Sequence, residues 1–398
     1  MKIEKRIMKK RLTLLMYVFL QTQLLLFSQT DPLVLSYQRN FLRANISTKI
    51  DILSDAVKNS EKTMLPLFRT ALDFTESAYS ILLDDRQFLE MAVLTVTKLG
   101  ELQDAESLDS IQRLLLLADY GALGIACITA LSSAKKSNPE FTAFLISWYE
   151  KKLTESLTGK KIDPKLLEAA AATLGNLKDK KTFKPLFETV CSPIDPSIIT
   201  AAKKAVSDNL SLFFTDILAE MEDKNLQKVY NAFSLVKGTP STDAKKIGKI
   251  AEKALATGLK QKNIAPALSK KLINESLTVL QDLRWSGASP AVVHYFYTAQ
   301  AEYKAGALSV SELIPVIRCM GAMGTTESVQ ALSIFLGMLN SETEKTKTYD
   351  ENLILTLIQA LGELGNKDSF DYLLYVSYLN YPDSIKKAAR EAIAQLKW

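Results

Sequence analysis

The chain has 398 residues, 47% apolar and 23% charged, with a formal net charge of +5. That length allows one large repeat array or two to three ordinary domains, and the apolar share excludes wholesale disorder. A single histidine excludes an HExxH protease and most zinc sites, and three cysteines are too few for a disulfide scaffold.

The charge is unevenly placed. Six of the 49 basic residues (Lys2, Lys5, Arg6, Lys9, Lys10 and Arg11) and one of the 44 acidic residues (Glu4) lie in 1–30, leaving 43 of each sign in 31–398. A nucleic-acid binder normally shows a basic excess that neutralises phosphates, so no nucleic-acid partner is expected. The basic run ends at Arg11, an apolar stretch follows from Leu12 to Phe27, and Ser28 is a small residue suited to a cut. This is the order of a secretory signal peptide. Gln21, Thr22 and Gln23 interrupt the stretch and weaken it as a full membrane span. Residues 1–28 therefore predict a signal peptide or an uncleaved signal anchor. The body is expected outside the cytoplasm, in the periplasm or held at the inner membrane, and 1–28 is the sole expected membrane contact.

From residue 33 onward apolar residues recur at spacings of 3, 4 and 7, and no sustained period of two appears. The spacing predicts an all-α protein. Four segments share one pattern: Leu99-Gly100-Glu101-Leu102, Leu174-Gly175-Asn176-Leu177, Met320-Gly321-Ala322-Met323 and Leu361-Gly362-Glu363-Leu364. With the residue before glycine as anchor, apolar residues recur seven and three places earlier and nine and twelve places later. Two amphipathic helices joined by a short turn give this spacing, with Asp104, Asp179 and Asn366 at the turns as candidate caps. Leu131, Val206 and Ile393 stand 32 residues after Leu99, Leu174 and Leu361, whereas Met320 and Leu361 are 41 apart. The excess of nine matches the polar stretch Asn340–Asp350, read as a loop insertion at one edge.

These segments, above all IQALGELGNKDSFDYLLYVSYLNYPDSIKKAAREAIAQL at the C-terminus, resemble short HEAT-like repeats of the type also found in phycobilisome lyases. The likeness covers about 88–135, 164–210 and 311–398. It implies an α-solenoid of antiparallel helix pairs, period about 32, whose second helices line a concave surface, and a role in binding other proteins rather than in catalysis. The expected organisation is 29–210 as N-terminal repeats, 211–310 as a degenerate helical middle and 311–398 as C-terminal repeats and cap.

No residue is assigned to catalysis, to a metal or to a cofactor. Glycine-rich phosphate loops are absent. Ser132-x-x-Lys135, Ser133-x-x-Lys136 and Ser207-Asp208-Asn209 mimic motifs of penicillin-binding enzymes, but the K-T-G element is missing. Some HEAT-repeat enzymes, such as deoxyhypusine hydroxylase, bind iron through His-Glu pairs; here His294 is followed by Tyr295, and it reads as a packing residue. Cys127, Cys191 and Cys319 read as packing thiols, and Asp84-Asp85 and Glu220-x-Glu222-Asp223 as solvated surface. One feature reads as a binding face. In the last repeat Phe370, Leu373 and Leu374 take the core side, leaving Tyr372, Tyr375 and Leu379 together on another face. Exposed tyrosines suit protein contacts. The leading expectation is an exported HEAT-repeat scaffold or adaptor for a protein or envelope component. Two others stand beside it: an enzyme or small-ligand binder with a pocket in 211–310, where Trp285, His294 and Tyr297 could meet, and a cytoplasmic nucleic-acid-associated HEAT protein.

Overall fold

A computed structural model describes residues 31–60, 62–135, 138–237 and 243–397. The leader reading on 1–28, most of the turn cluster Lys237–Thr242, and Lys136 lie outside the described residues. Those described are all-helical, with no β-strand among them. The helices pack in adjacent pairs. Two compact units divide between Thr173 and Leu174.

The first unit contains α1 (Pro32–Arg43), α2 (Ile46–Ser60), α3 (Leu65–Leu82), α4 (Arg86–Glu101), α5 (Leu108–Leu117), α6 (Gly121–Lys135) and α7 (Pro139–Leu157). Here α2 packs on α4 and α4 on α6, while α1 packs on α3 and α3 on α5, giving two layers. Next, α8 (Pro164–Asn176) spans the division. The second unit continues with α9 (Phe183–Cys191), α10 (Pro196–Ser207), α11 (Leu210–Glu220), α12 (Leu226–Ser234), α13 (Ala244–Lys260) and α14 (Pro266–Asp282). It closes with α15 (Ser289–Lys304), α16 (Val310–Met323), α17 (Thr326–Thr346), α18 (Glu351–Leu364), α19 (Phe370–Tyr375) and α20 (Asp383–Ala394). In this last part α14, α16, α18 and α20 pack in sequence as one layer, and α15, α17 and α19 as the other.

The repeat pattern has a steric cause. A Cβ added at Gly100 would lie 2.7 Å from Ala130 Cβ; the same distances are 2.7 Å for Gly175 and Ala205, 2.8 Å for Gly321 and Ala360, and 3.0 Å for Gly362 and Ala392. Each alanine immediately precedes an anchor of the next helix of the first type. Glycine facing alanine thus brings consecutive first-layer helices closer than two ordinary side chains permit. The anchors Leu99, Leu174, Met320 and Leu361 are buried at 0–1% exposure, as are the apolar residues three and seven places before them.

The structure contains a fifth unit that the glycine pattern does not show. Leu280 stands as anchor between Ile273 and Leu277 before it and Val292 after it, all buried. Its glycine position is Gln281. Four places after the anchors, the backbone turns left-handed at Gln103 (φ 54°), Lys178 (54°), Arg284 (49°), Gly324 (70°) and Gly365 (62°). A 3-10 turn follows in four units, at Ala105–Ser107, Lys180–Thr182, Ser286–Ala288 and Lys367–Ser369. Left-handed backbone is costly for a side chain bearing a Cβ. The turn compensates by satisfying helix-end carbonyls: Trp285 N–H donates to Leu280 C=O (3.0 Å), as Asp104 N–H does to Leu99 C=O (3.1 Å).

Two of the expected caps act as such: Asp179 accepts from Lys181 N–H and Asn366 from Asp368 N–H, both at 2.9 Å. Asp104 makes no side-chain cap bond. Its buried carboxylate instead takes the Arg69 guanidinium on both oxygens and the Ser107 hydroxyl. Burial works to raise its pKa, but Arg69, Ser107 and the Glu106 backbone N–H outweigh it and hold the carboxyl below its usual value.

The Asn340–Asp350 stretch differs from the expected loop. Helix α17 continues to Thr346, and only the residues from Lys347 (φ 60°) to Asp350 turn the chain. Asn340 and Thr343 point inward and are buried. The Tyr381 hydroxyl donates to Asn340 Oδ1 (3.1 Å) with Thr343 Oγ1 3.0 Å away, and the Asn340 amide donates to Tyr372 C=O (3.3 Å). Polar residues occupy this end of the core because each finds a partner there.

Candidate protein-binding face

The second-layer helices of the last three units, α15, α17 and α19, present their outward sides in sequence. The cores of α15 and α17 meet at Phe296 and Phe335, edge to face at 5.5 Å between ring centroids. Opposite that contact, Tyr297 (51%), Ile334 (51%), Met338 (40%), Tyr375 (40%) and Tyr378 (74%) are exposed. Helical register places Tyr297, Ile334, Met338 and Tyr375 there, and Tyr378 lies in the 3-10 turn that follows α19. Tyr297 and Tyr378 both stand 17 residues after their anchors Leu280 and Leu361; Ile334 and Tyr375 both stand 14 after Met320 and Leu361.

Local chemistry holds these side chains in place. Gln300 Nε2 and Lys304 Nζ reach Met338 Sδ at 3.6 and 3.8 Å, fixing the thioether between α15 and α17. Tyr372 is half-buried and lies over Gly337: a Cβ there would meet the ring at 2.9 Å. The glycine therefore lets the ring lie against α17. Between them opens a shallow groove floored by Ile334, Gly337, Met338 and Tyr372 and edged by Glu342 and Lys345. The Tyr375 hydroxyl donates to Glu344 (3.1 Å), and that bond with the carboxylate charge pushes its pKa up.

Of the three residues expected on this face, Tyr375 is exposed, Tyr372 is half-buried at the groove, and Leu379 is buried. The reason is a change of helix type. The α-helix stops at Tyr375 and a 3-10 turn spans Val376–Tyr378. The tighter winding turns Tyr378 outward and Leu379 inward. Of the residues that periodicity does not single out, Ile334 shares a repeat position with Tyr375, whereas Met338 has no counterpart and the exposure of Tyr378 depends on the 3-10 turn.

Most of the other sequence candidates have structural roles. His294 does not: expected as a packing residue, it lies on the exposed side of α15, because Val292, Tyr295, Phe296 and Ala299 take the buried side. Trp285 covers Gly248 and donates to Glu252 (3.2 Å). The hydroxyls of Ser132 and Ser207 donate to the carbonyls of Thr129 and Leu235, and the Asn209 amide to those of Gly175 and Ala205. Cys127 and Cys319 are buried, Cys191 is half-buried, and all three are free. Burial pushes the Cys319 thiol up to about 12 and the Cys127 thiol higher still, which leaves both as unreactive thiols. Asp85 caps α4, and Glu222 pairs with Lys253 at 2.6 Å. No cluster of three or more metal-ligating side chains occurs among the described residues. None of their helices is long and apolar enough to cross a membrane.

The chain matches no protein-family model and no curated protein.

Proposed function

We propose that this chain is a HEAT-like α-solenoid scaffold, exported by its N-terminal segment, that binds a protein partner through the concave face lined by its second helices. The recurrent glycine–alanine contact and the recurrent left-handed turn support the repeat reading. The observation that carries the binding role is the exposure of Tyr297, Ile334, Met338, Tyr375 and Tyr378 along the second-layer helices α15, α17 and α19 and the turn that follows. Tyrosine and methionine bury large area at modest entropic cost and recur at interface centres. Envelope localisation rests on the order of charged and apolar residues in 1–28.

The test is site-specific photo-cross-linking in cells, with the probe placed at Tyr378 and, as control, at exposed Glu391 on α20. The proposal expects one partner captured at Tyr378, absent at Glu391, and lost on Tyr375→Ala. Equal capture at both positions would refute it, as would none at Tyr378.

A further inference from the structure

We propose a second, separate binding site: the cleft between α14, α15 and the start of α16, which takes a small zwitterionic ligand of dipeptide size. It does not rest on the adaptor reading. The cleft holds about 380 Å³, at the small end of the roughly 300–1,000 Å³ typical of ligand pockets.

Its chemistry is built from both signs of charge. Lys262 pairs with Glu302 at 2.6 Å across the mouth, and Lys270 with Glu312 at 2.6 Å. The walls between them combine apolar Pro266, Ile273 and Leu308 with the amides of Asn263 and Asn274. Two cations and two anions leave no net charge, so neither a simple anion nor a simple cation is favoured. A ligand carrying an ammonium and a carboxylate matches both ends. The four charged side chains are 28–59% exposed. Exposed ion pairs contribute little by themselves, so Lys262 and Glu302 open to a ligand at small cost.

The independent pointer is Tyr295. It is 8% exposed and lines the cleft. Its hydroxyl makes no hydrogen bond to any described residue. A hydroxyl that opens on a cleft wall with no protein partner is free to donate to a bound molecule. Burial first, then the nearby Glu302 and Glu312 charges, push this phenol up to about 12, so it stays protonated and able to donate to a ligand carbonyl. The backbone keeps the cleft open. Gly306 (φ 73°) turns the chain out of α15, and the Ser309 N–H and hydroxyl both donate to Glu312, fixing that carboxylate at the rim. The residues first suspected in this stretch, Trp285, His294 and Tyr297, are not part of its lining.

The experiment is isothermal titration of the full chain with leucyl-leucine and with its acetylated, amidated form. The zwitterion is expected to bind and the blocked form to bind at least ten-fold more weakly. Tyr295→Phe keeps the ring and removes the hydroxyl; one lost hydrogen bond corresponds to about a ten-fold weaker Kd. Lys262→Met, at the exposed rim, is expected to weaken the zwitterion alone. Absence of binding at about 10 mM overturns the proposal. Equal binding of the blocked dipeptide, or unchanged affinity in both variants, does the same. Capture at Tyr378 is unaffected by any of these results.

Discussion

Gly100→Ala tests the repeat contact directly. The new Cβ would sit 2.7 Å from Ala130 Cβ and 2.9 Å from Ala130 Cα, whereas carbon atoms in contact rest about 3.5–4.0 Å apart. Neither neighbour is the end of a flexible side chain, so α4 and α6 must separate by about 1 Å. Overpacking of this kind costs about 1–3 kcal/mol. The change also gains up to about 1 kcal/mol of helix propensity. The expected net loss is about 1–2 kcal/mol, read as a lower midpoint in urea unfolding. Adding Ala130→Gly removes the Cβ–Cβ clash, so the double variant should be more stable than the sum of the single changes predicts, by about 1 kcal/mol. The contrast is Gln281→Gly, where the fifth unit has no glycine: only propensity is lost, up to about 1 kcal/mol. A Gly100→Ala chain as stable as the parent, with strictly additive single changes, would refute close packing as the reason for the glycine.

Three further outcomes follow from polar groups held by specific partners. Arg69→Met leaves the Asp104 carboxylate buried without its cation and is expected to cost about 3–5 kcal/mol in the same assay. Because Asp104 is held below its usual value, its contribution is present above about pH 4 and is lost as pH falls through the folded value; Arg69→Met should flatten that acid limb. Tyr381→Phe strips the hydrogen bond from buried Asn340 and should cost about 1–3 kcal/mol, with hydrogen exchange rising in 340–346. For Glu312, hydrogen bonds from Lys270 and then Ser309 hold the carboxyl down to about 2. Its stabilisation is complete above about pH 4.3 and fades as pH falls toward 2. Glu312→Gln should remove that part of the acid dependence, measured as Tm against pH.

The helical class and four of the five units were legible because burial repeats along the sequence and a glycine marks each close contact. The Leu280 unit escaped because Gln281 fills the glycine position, although Ile273, Leu277 and Val292 keep the apolar spacing. Its left-handed turn falls on Arg284, a residue type that gives no hint of such backbone. The polar residues of 340–346 resemble a loop in sequence because their partner, Tyr381, lies about 40 residues away. Distance in sequence hid the cleft as well. Lys262 and Glu302 are 40 residues apart, and nothing in either neighbourhood marks them as partners. Leu379 was misplaced by a change of helix type, which periodicity assumes away.

The register that makes the units alike also separates two kinds of position. Anchors and the glycine–alanine contacts are fixed by packing. Positions 14 residues after the anchors hold Arg113, Glu188, His294, Ile334 and Tyr375, a different chemistry in each unit on one common frame. Such a frame can be relettered. Exchanging outward residues between units should transplant a binding preference along the chain while leaving the core untouched, so affinity and stability become separately adjustable properties of this protein.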